Sequence, residues 1–476
     1  MAQKSKNVKR QIRRSSKAGV EHPLKENRTD VAGIDIGATE IFIACKPKAD
    51  GSPNVRSFRT DTQSLVEAAD WMTSQGVHAV AMESTGVYWI PLYQILNGRS
   101  FEVNLVDARS VRGVPGRKTD VLDCQWLRML LACGLLKGCF LPDDTTAALR
   151  SLQRMRQELR KNQDDWIRRV QKQLDLMNVR VHRAVSDITG TTGMAIIRAI
   201  LAGERDPQTL AALRDPRCRK NKNEIARELT GDWREEHLLN LKLAMASYDH
   251  FAGQIAEADR NIDAALTRLR AVRQAAGQPV AAVVPPHPSP TKAKRLSKRG
   301  EEPLRQALGC TYGVDLTRIE GISIEAAACV FMELGPDIPT RFPTEKQFVS
   351  YLKLAPRLAI SGGHKVQGKG KVARRGGPPL RRILLTSAST VRESQTALGD
   401  YYRKTAYRKG AGVAAFATAG KLAQRIYRAL DKGVDYAIGG DERWHHTELE
   451  RRRARLARQA ATLGMDLVTT ATAVTP

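Results

Sequence analysis

Short apolar runs alternate with amphipathic stretches over residues 31–143. The first run, residues 31–44, is interrupted by a glycine, which is typical of a buried strand, a turn and a returning strand. Because strands and helices alternate, we expect an α/β domain here. Further strands are predicted at 77–85 and 101–107, and helices at 64–75 and 120–136.

After Asp144 the pattern becomes that of long helices. Apolar residues recur at spacings of three, four or seven over 144–183 and again over 235–273. Two such helices predict an antiparallel hairpin or a dimerising coiled coil, and ordinary bundle packing is the alternative. Residues 184–234, between them, are mixed and poorly periodic. We therefore assign 144–276 to a long-helix region that includes plausible dimer contacts.

The other segments differ in composition. Residues 1–30 carry nine Lys and Arg without hydrophobic periodicity, which predicts a flexible basic arm. Residues 277–303 are rich in proline and basic residues, which predicts a linker or exposed insertion. Residues 304–432 are expected to form a compact helical domain. Residues 433–476 are expected to form a basic helix followed by a weakly structured tail.

The charge balance makes a polyanionic partner the first expectation. The 476 residues include 77 Lys and Arg against 50 Asp and Glu, a formal net charge of +27. Basic side chains gain affinity for nucleic acid by releasing condensed counterions, so nucleic acid is the leading candidate. A soluble basic protein without such a partner is the alternative.

Several other classes are excluded by missing patterns. No apolar run approaches the roughly 18 residues of a membrane span, and the basic N-terminus lacks the apolar segment of a secretory signal. The seven cysteines never form a CxxC pair, which indicates reduced thiols rather than a zinc ribbon or a disulfide framework. The nine histidines form no HExxH motif, and no Walker A sequence is present.

Four acidic residues occupy unusual places in the α/β domain. Asp35 lies inside the first apolar strand, where an acid is costly unless it is paired or binds a cation. Glu83 ends the next apolar strand, and Asp120 and Asp123 share one face of the following helix. Four carboxylates in one cleft suit one or two Mg²⁺ ions for phosphoryl transfer. Taken singly, each acid is better explained without a metal: Asp120 as a helix cap, Asp123 as a solvated residue and Glu83 as the partner of an arginine. Asp35, inside a strand, is the most unusual of the four.

Two features of the C-terminal region suggest contacts with phosphate. Residues 315–337 resemble one turn of a helix-hairpin-helix, in which Gly321 permits the tight turn, although any helix–Gly–helix turn looks similar. Residues 361–382 contain seven Lys and Arg, six Gly and no acid. Glycines let a backbone approach phosphates closely, but a disordered basic loop has the same composition.

The acidic blocks carry a family resemblance. GIDIGATE, MESTGVY and RKTDVLDCQWL resemble the three blocks of the DEDD domain in the Piv-like transposases of insertion-sequence family 110, also called bridge-RNA-guided recombinases. The resemblance implies an RNase H-like, RuvC-type N-terminal domain. It also implies that Asp35, Glu83, Asp120 and Asp123 are catalytic Mg²⁺ ligands. Cys124 stands where the family usually has alanine.

The C-terminal Ser/Gly/Arg block resembles a second block of the same family. In that family a serine attacks DNA and forms a 5′-phosphoserine link, and its place before a glycine pair makes Ser361 the expected nucleophile. Ser387 and Ser389 are rivals, but they fall within a predicted helix. The residues expected to contact nucleic acid are Lys118, Gly321, Gly362, Gly363, Lys365, Lys369, Lys371, Arg374, Arg375, Arg381 and Arg382.

The predicted function is therefore that of a DNA transposase that works by strand exchange. The resemblance implies a structured noncoding guide RNA, and a homodimer or homotetramer in which the serine of one subunit completes the acidic site of another. We expect it in the cytoplasm of a bacterium or archaeon, at the nucleoid. The alternatives are a RuvC-like junction nuclease without serine chemistry, a non-catalytic basic nucleic-acid-binding protein, and an actin- or sugar-kinase-like ATPase. The last is suggested by DIGAT at 35–39, but its second phosphate loop and adenosine motif are missing.

Overall fold

A computed structural model gives the structure of the protein. It describes residues 25–84, 86–106, 120–136, 138–139, 141, 143–355, 360–361, 364–365, 377–462 and 465. The chain divides into two compact units, residues 1–141 and 142–476. Residues 1–24 of the predicted basic arm, and most of the predicted Gly-rich basic loop, lie outside the described residues.

The first unit is built on a mixed sheet of five strands in the order β3-β2-β1-β4-β5. The strands β1, β2 and β3 are antiparallel neighbours, whereas β4 and β5 run parallel to β1. The elements in chain order are β1 (Val31–Ile36), β2 (Glu40–Cys45), β3 (Asn54–Arg59), α1 (Thr62–Ser74), β4 (Ala79–Glu83), α2 (Trp89–Asn97), β5 (Glu102–Val106) and α3 (Asp120–Ala132).

The two faces of this sheet have different coverings. Because side chains alternate along a strand, Ile34 and Ile36 of β1 share one face, where they pack in the core formed with α1 and α2. Val31 belongs to the opposite core, which is completed by Leu127 and Leu131 of α3. The helix α3 therefore covers the face on which Asp35 lies.

The predicted strands and helices of the first unit are confirmed, but two elements were not predicted. The edge strand β3 reads NVRSFR, and Phe58 is its one buried residue, so no apolar run reveals it. The helix α2 buries Leu92 and Leu96 but contains Pro91, which weakens a helical pattern. Both elements are recognisable only through the neighbours on which they pack.

The end of the basic arm is not flexible as predicted, since residues 25–30 are anchored to the first unit. The backbone N–H groups of Asn27 and Arg28 donate to the carbonyl of Ala132, at the end of α3. The nearly fully buried Arg128 of α3 forms an ion pair with Glu26 at 2.6 Å. The Arg128 guanidinium holds the pKa of Glu26 below its ordinary value. This segment thus fixes α3 from its C-terminal end.

The second unit contains an antiparallel hairpin of two long helices, α4 (Asp144–Leu176) and α9 (Glu235–Ala275). Leu149, near the start of α4, shares a core with Ile262 and Leu266, near the end of α9. At the opposite end of the hairpin, Leu174 packs with Leu241. The hairpin that the periodicity predicted therefore forms within one chain.

The poorly periodic segment 184–234 lies at the tip of this hairpin and has a core of its own. Its short helices bury residues such as Ile197, Leu210 and Ile225 against Val170 of α4. Because each helix is too short to show a full amphipathic repeat, the sequence pattern did not reveal them. They are α6 (Thr191–Leu201), α7 (Pro207–Ala212) and α8 (Lys222–Glu228), and the short helix α5 (Val181–Ala184) leads into the segment.

The rest of the second unit is a helical domain built around Phe331, Phe348, Leu422 and Ile426, all of which are fully buried. No described helix is both long and apolar enough to cross a membrane. The elements are α10 (Pro290–Lys298), α11 (Glu302–Tyr312), a 3₁₀ helix (Leu316–Arg318), α12 (Ile324–Cys329), a π-helix (Val330–Leu334), α13 (Ile338–Arg341), α14 (Glu345–Tyr351), β6 (Ile360–Ser361), β7 (His364–Lys365), α15 (Pro379–Val391), α16 (Ala397–Lys409), α17 (Ala411–Lys432), α18 (Val434–Ile438) and α19 (Gly440–Thr462).

Two segments outside the predicted compact domain also contribute to this unit. Val434 and Ala437, in the predicted basic tail, are buried in its core, so the tail begins with a packed helix. The Pro-rich segment 277–303 is not simply exposed, because Val284, His287 and Leu296 are buried. The apolar residues of both segments are too few to show a period.

A buried carboxylate joins the hairpin to the helical domain. Glu333, in the π-helix, accepts two hydrogen bonds from Arg154 of α4, at 2.6 and 2.7 Å. Arg150 lies beside the same carboxylate and also donates to the Glu333 carbonyl. The Glu333 side chain is only 7% exposed, so these two arginines offset the cost of removing its carboxylate from water.

We predict that Glu333→Ala lowers the free energy of unfolding of the second unit by about 3 kcal/mol, because two arginines lose the buried charge that pairs with them. Urea unfolding followed by circular dichroism measures this change. Glu158→Ala is the matched control, since Glu158 pairs with Lys161 at the surface and should cost less than about 1 kcal/mol. Equal losses in the two variants would contradict the prediction.

Candidate active site

Two of the predicted carboxylates lie at the carboxyl ends of neighbouring parallel strands. The last paired residues of β1 and β4 are Ile34 and Met82, and Asp35 and Glu83 follow them directly. Because Ile34 and Met82 belong to the core on the α1/α2 side, alternation places Asp35 and Glu83 on the opposite face. Both acids are half-buried. The sheet thus brings together two residues that are 48 positions apart in the chain (83 − 35).

The helix α3 lies over the same face and carries Asp123. Its approach to the sheet depends on Gly33, where an added Cβ would lie 2.1 Å from the Cys124 carbonyl oxygen and 2.3 Å from the Arg128 nitrogen. Only a glycine therefore allows the backbones of β1 and α3 to come this close. The role of Gly33 was missed from the sequence, although a glycine inside an apolar strand is itself a signal of close approach.

The electrostatic surroundings of Cys124 connect these acids. The Cys124 thiol is fully buried, and this burial raises its pKa, with further contributions from the negative charges of Asp35 and Asp123. Both carboxylates therefore act on the same buried sulfur. Asp35 lies on the sheet side, and Asp123 on the helix side, of the packed contact between β1 and α3.

The donor chemistry of these residues suits a hard divalent cation, which prefers carboxylate oxygens. Asp120 begins α3, three residues before Asp123 and on the same side of the helix, but its side chain lies outside the described part of the structure. Among the side chains that are described, no three His, Cys, Asp or Glu residues are grouped closely enough to hold a metal ion. The chemical fit therefore rests on the kind of donor and on the shared face of the sheet.

The predicted turn at Gly321 is present in the helical domain. It follows the 3₁₀ helix and precedes α12, whose N-terminus is capped by the Ser323 side chain. Gly321 has a φ of +76°, and an added Cβ would lie 2.6 Å from the Val391 side chain. Both the backbone conformation and the space therefore require glycine at this position.

The predicted nucleophile Ser361 ends the short strand β6, where it pairs with His364 of β7. Its side chain is not described. The rival Ser387 is buried in α15, and the Ser389 hydroxyl donates to the Leu385 carbonyl within the same helix. The structure thus places the two rivals in a regular helix, as predicted, and Ser361 outside it.

Two of the predicted nucleic-acid contacts are visible at the start of α15. Arg381 is half-buried, with its guanidinium 5.3 Å from the centre of the Phe416 ring, whereas Arg382 is exposed. Lys365 is the second residue of β7, and only its backbone is described. The other predicted contacts of this loop and the first unit lie outside the described residues: Lys118, Gly362, Gly363, Lys369, Lys371, Arg374 and Arg375.

Two family comparisons match the regions that contain these residues. Residues 32–179 match the DEDD transposase family of IS110. Residues 315–403 match the transposase IS116/IS110/IS902 family. The chain belongs to the IS110 family of transposases. Membership implies DNA transposition or recombination, and hence a DNA-processing enzyme. No curated protein has a sequence that matches this chain.

The first match covers β1, β4 and α3, and thus every acidic residue of the candidate site. DEDD transposases typically use a divalent metal. The second match covers the Gly321 turn, Ser361 and the start of α15. The acidic residues of the first unit, and the region of Gly321 and Ser361 in the second, therefore both lie within the parts of this transposase that match its family.

We predict that Gly33→Ala displaces α3 from the sheet, because the new methyl group would meet backbone atoms that cannot rotate away. The expected cost is about 1–3 kcal/mol of stability, with faster alkylation of the buried Cys124 thiol. Mass spectrometry of the peptide that contains Cys124 measures the alkylation. Gly253→Ala is the control, since an added Cβ there meets nothing within 4 Å. Unchanged protection of Cys124 in Gly33→Ala would show that the close approach is dispensable.

Proposed function

We propose that this IS110 transposase cleaves and exchanges DNA strands with an acidic site in its first unit and a serine nucleophile in its second. The observation that carries the proposal is the convergence of Asp35, Glu83 and the helix bearing Asp123 on one face of the sheet. The strand order, in which β1, β2 and β3 are paired antiparallel and β4 and β5 are added parallel to β1, supports an RNase H-like, RuvC-type fold for this unit.

In this proposal Asp35, Glu83, Asp120 and Asp123 hold Mg²⁺. When bound, the cation would supply positive charge at the scissile phosphate. As oxygen ligands of the cation, the four acids would not themselves need to transfer protons. The half-buried positions of Asp35 and Glu83 limit hydration and strengthen their interaction with a cation.

Ser361 performs the covalent step in the proposed mechanism. Its hydroxyl oxygen attacks the phosphorus and loses its proton to a nearby base. The bond between phosphorus and the 3′ oxygen of the preceding nucleotide breaks, and that oxygen leaves as a hydroxyl after taking up a proton. The DNA is then joined to Ser361 through a 5′ phosphate, and the 3′ hydroxyl of a partner strand reverses the attack.

The basic residues around Ser361 would hold the DNA backbone. Arg382 is exposed at the start of α15, and the chain carries a strong positive excess overall. We assign the same role to Lys118, to the Gly321 turn and to the glycines, lysines and arginines of the 361–382 loop. Glycine and arginine together permit close, charge-assisted contacts with phosphate.

We also propose that the transposase recognises its target through a structured noncoding RNA and acts as a homodimer or homotetramer at the nucleoid, in the cytoplasm. The basic excess suits an RNA as well as a DNA partner. The long helices α4 and α9 offer an extended surface for assembly, with Leu239 and Leu243 exposed on one of them.

We predict that incubation with element-end DNA, its flanking RNA and Mg²⁺ produces a protein–DNA adduct that survives denaturation. Ser361→Ala should abolish the adduct, and Ser389→Ala, the control, should retain it. Asp35→Asn should lose both cleavage and adduct but still bind DNA, because one charge is removed from the acidic site and none from the basic surface. Denaturing gels and a DNA-binding titration measure these outcomes.

Each alternative function gives a different result in the same experiment. Cleavage that persists in Ser361→Ala without any adduct would indicate a junction nuclease. ATP turnover that is lost in Asp35→Asn would indicate an ATPase related to sugar kinases. DNA binding without cleavage by the unaltered protein would indicate a binding protein only.

We predict that a discrete noncoding RNA co-purifies with the transposase and that its removal lowers sequence-specific DNA binding more than nonspecific binding. Base pairing would supply the specificity, whereas the basic side chains act on any phosphate backbone. Sequencing the bound RNA, and comparing specific with random DNA before and after ribonuclease treatment, measures this. If ribonuclease treatment lowered the binding of specific and of random DNA by the same factor, the guide RNA would be contradicted.

A further inference from the structure

The Pro-rich segment 277–303 contacts the Gly321 turn through a lysine. Lys292, on α10, directs its ammonium group at two backbone carbonyls, those of Thr317 and Ile322. The hydrogen bond to Ile322 measures 2.9 Å. These two carbonyls lie on either side of Gly321, so one side chain links both ends of the turn.

A histidine of the same segment engages the same carbonyl. The His287 Nδ1 accepts a hydrogen bond from the Ser289 backbone N–H at 3.0 Å, which leaves the hydrogen of the neutral ring on Nε2. Nε2 therefore donates to the Thr317 carbonyl at 3.1 Å. Burial lowers the pKa of His287 and so favours this neutral form.

The surroundings of Lys292 make these contacts hard to replace. Burial lowers the pKa of Lys292 to about 8, an effect to which Arg295 adds. Asp315, which caps the 3₁₀ helix before the turn, is held by Arg305 and the Thr317 hydroxyl. A lysine removed from water in this way is expected only where its hydrogen bonds have a structural purpose.

The carbonyl contacts bear on how the turn could meet DNA. A turn presents its amide hydrogens to a phosphate only when its carbonyl oxygens, which are partly negative, face elsewhere. Lys292 and His287 hold two of these oxygens on the protein side. Glu320, next to Gly321, is likewise held, since it accepts a hydrogen bond from Thr396 at 2.6 Å.

We propose that Lys292 is a positioning residue for DNA binding, which together with His287 holds the Gly321 turn in the conformation that receives a backbone phosphate. The inference rests on the proposed function of the turn as a nucleic-acid contact. The segment 277–303 then serves as a brace for a binding surface, and Lys292 itself touches no DNA.

The experiment compares Lys292→Met, Lys292→Arg and Lys294→Met in the full-length chain with a fluorescent element-end duplex and Mg²⁺. Lys292→Met should weaken DNA binding about tenfold, the loss expected if the competent turn falls to a tenth of the population. Lys294 is exposed on the same helix, so Lys294→Met removes an equal charge and should bind as the unaltered protein does. Lys292→Arg should restore most of the affinity, because arginine keeps the donors.

Hydrogen exchange separates positioning from a general loss of structure. Lys292→Met should raise exchange in the peptide spanning 316–323 while the unfolding midpoint of the second unit stays unchanged. If Lys292→Met unfolds the unit, His287→Gln takes its place, with a smaller loss of affinity and the same local increase in exchange. Equal binding by Lys292→Met and Lys294→Met, or failure of arginine to restore binding, would overturn the proposal.

The variant Gly321→Ala distinguishes this proposal from the proposed nucleic-acid contact of the turn, on which it rests. If Gly321→Ala binds DNA normally, the turn is not a nucleic-acid contact and the proposed function of the turn fails. If Gly321→Ala weakens binding but Lys292→Met does not, the turn contacts DNA and only the brace is wrong.

Discussion

The close approach of α3 to the sheet is the constraint on which the candidate active site depends. At Gly33 the two backbones come so near that even a methyl group has no room. The ion pair between Arg128 of α3 and Glu26 of the N-terminal segment then holds the helix in place. This packing brings Asp123 to the face where Asp35 and Glu83 end their strands. The helix that carries Asp123 is therefore positioned by backbone contact and by the ion pair between Arg128 and Glu26.

The second unit uses buried charges in a comparable way. Glu333 joins the hairpin to the helical domain through Arg150 and Arg154, and Lys292 joins the Pro-rich segment to the Gly321 turn. Buried ions are costly unless they are paired or hydrogen-bonded, so each of these contacts specifies one arrangement of its neighbours. In a strongly basic chain, these cations inside the fold have a structural role that is distinct from the role proposed for the basic residues that hold DNA.

Much of the fold followed from local pattern. The paired strands around Gly37, the helix bearing Asp123 and the two long helices were all predicted, because each has a regular period or a long apolar run. The edge strand β3 and the small helices of 184–234 were missed, since elements this short bury too few residues to show a period. Residues 25–30 were predicted to be part of a flexible arm, and 277–303 a linker or exposed insertion. Both are anchored, because their partners, Arg128 and the Thr317 carbonyl, lie elsewhere in the chain.

The sequence by itself determined the candidates for the chemistry of the protein: four acids in an α/β domain, a serine in a Gly- and Arg-rich block, and an excess of positive charge that suits nucleic acid. Residue type and local spacing are enough for this, and both family matches fall on the same blocks. Only the tertiary structure decided that Asp35 and Glu83 are neighbours, that Gly33 admits α3 and that Lys292 supports the Gly321 turn. Strand register and side-chain contact between distant segments arise from packing, and packing leaves no periodic trace in the chain.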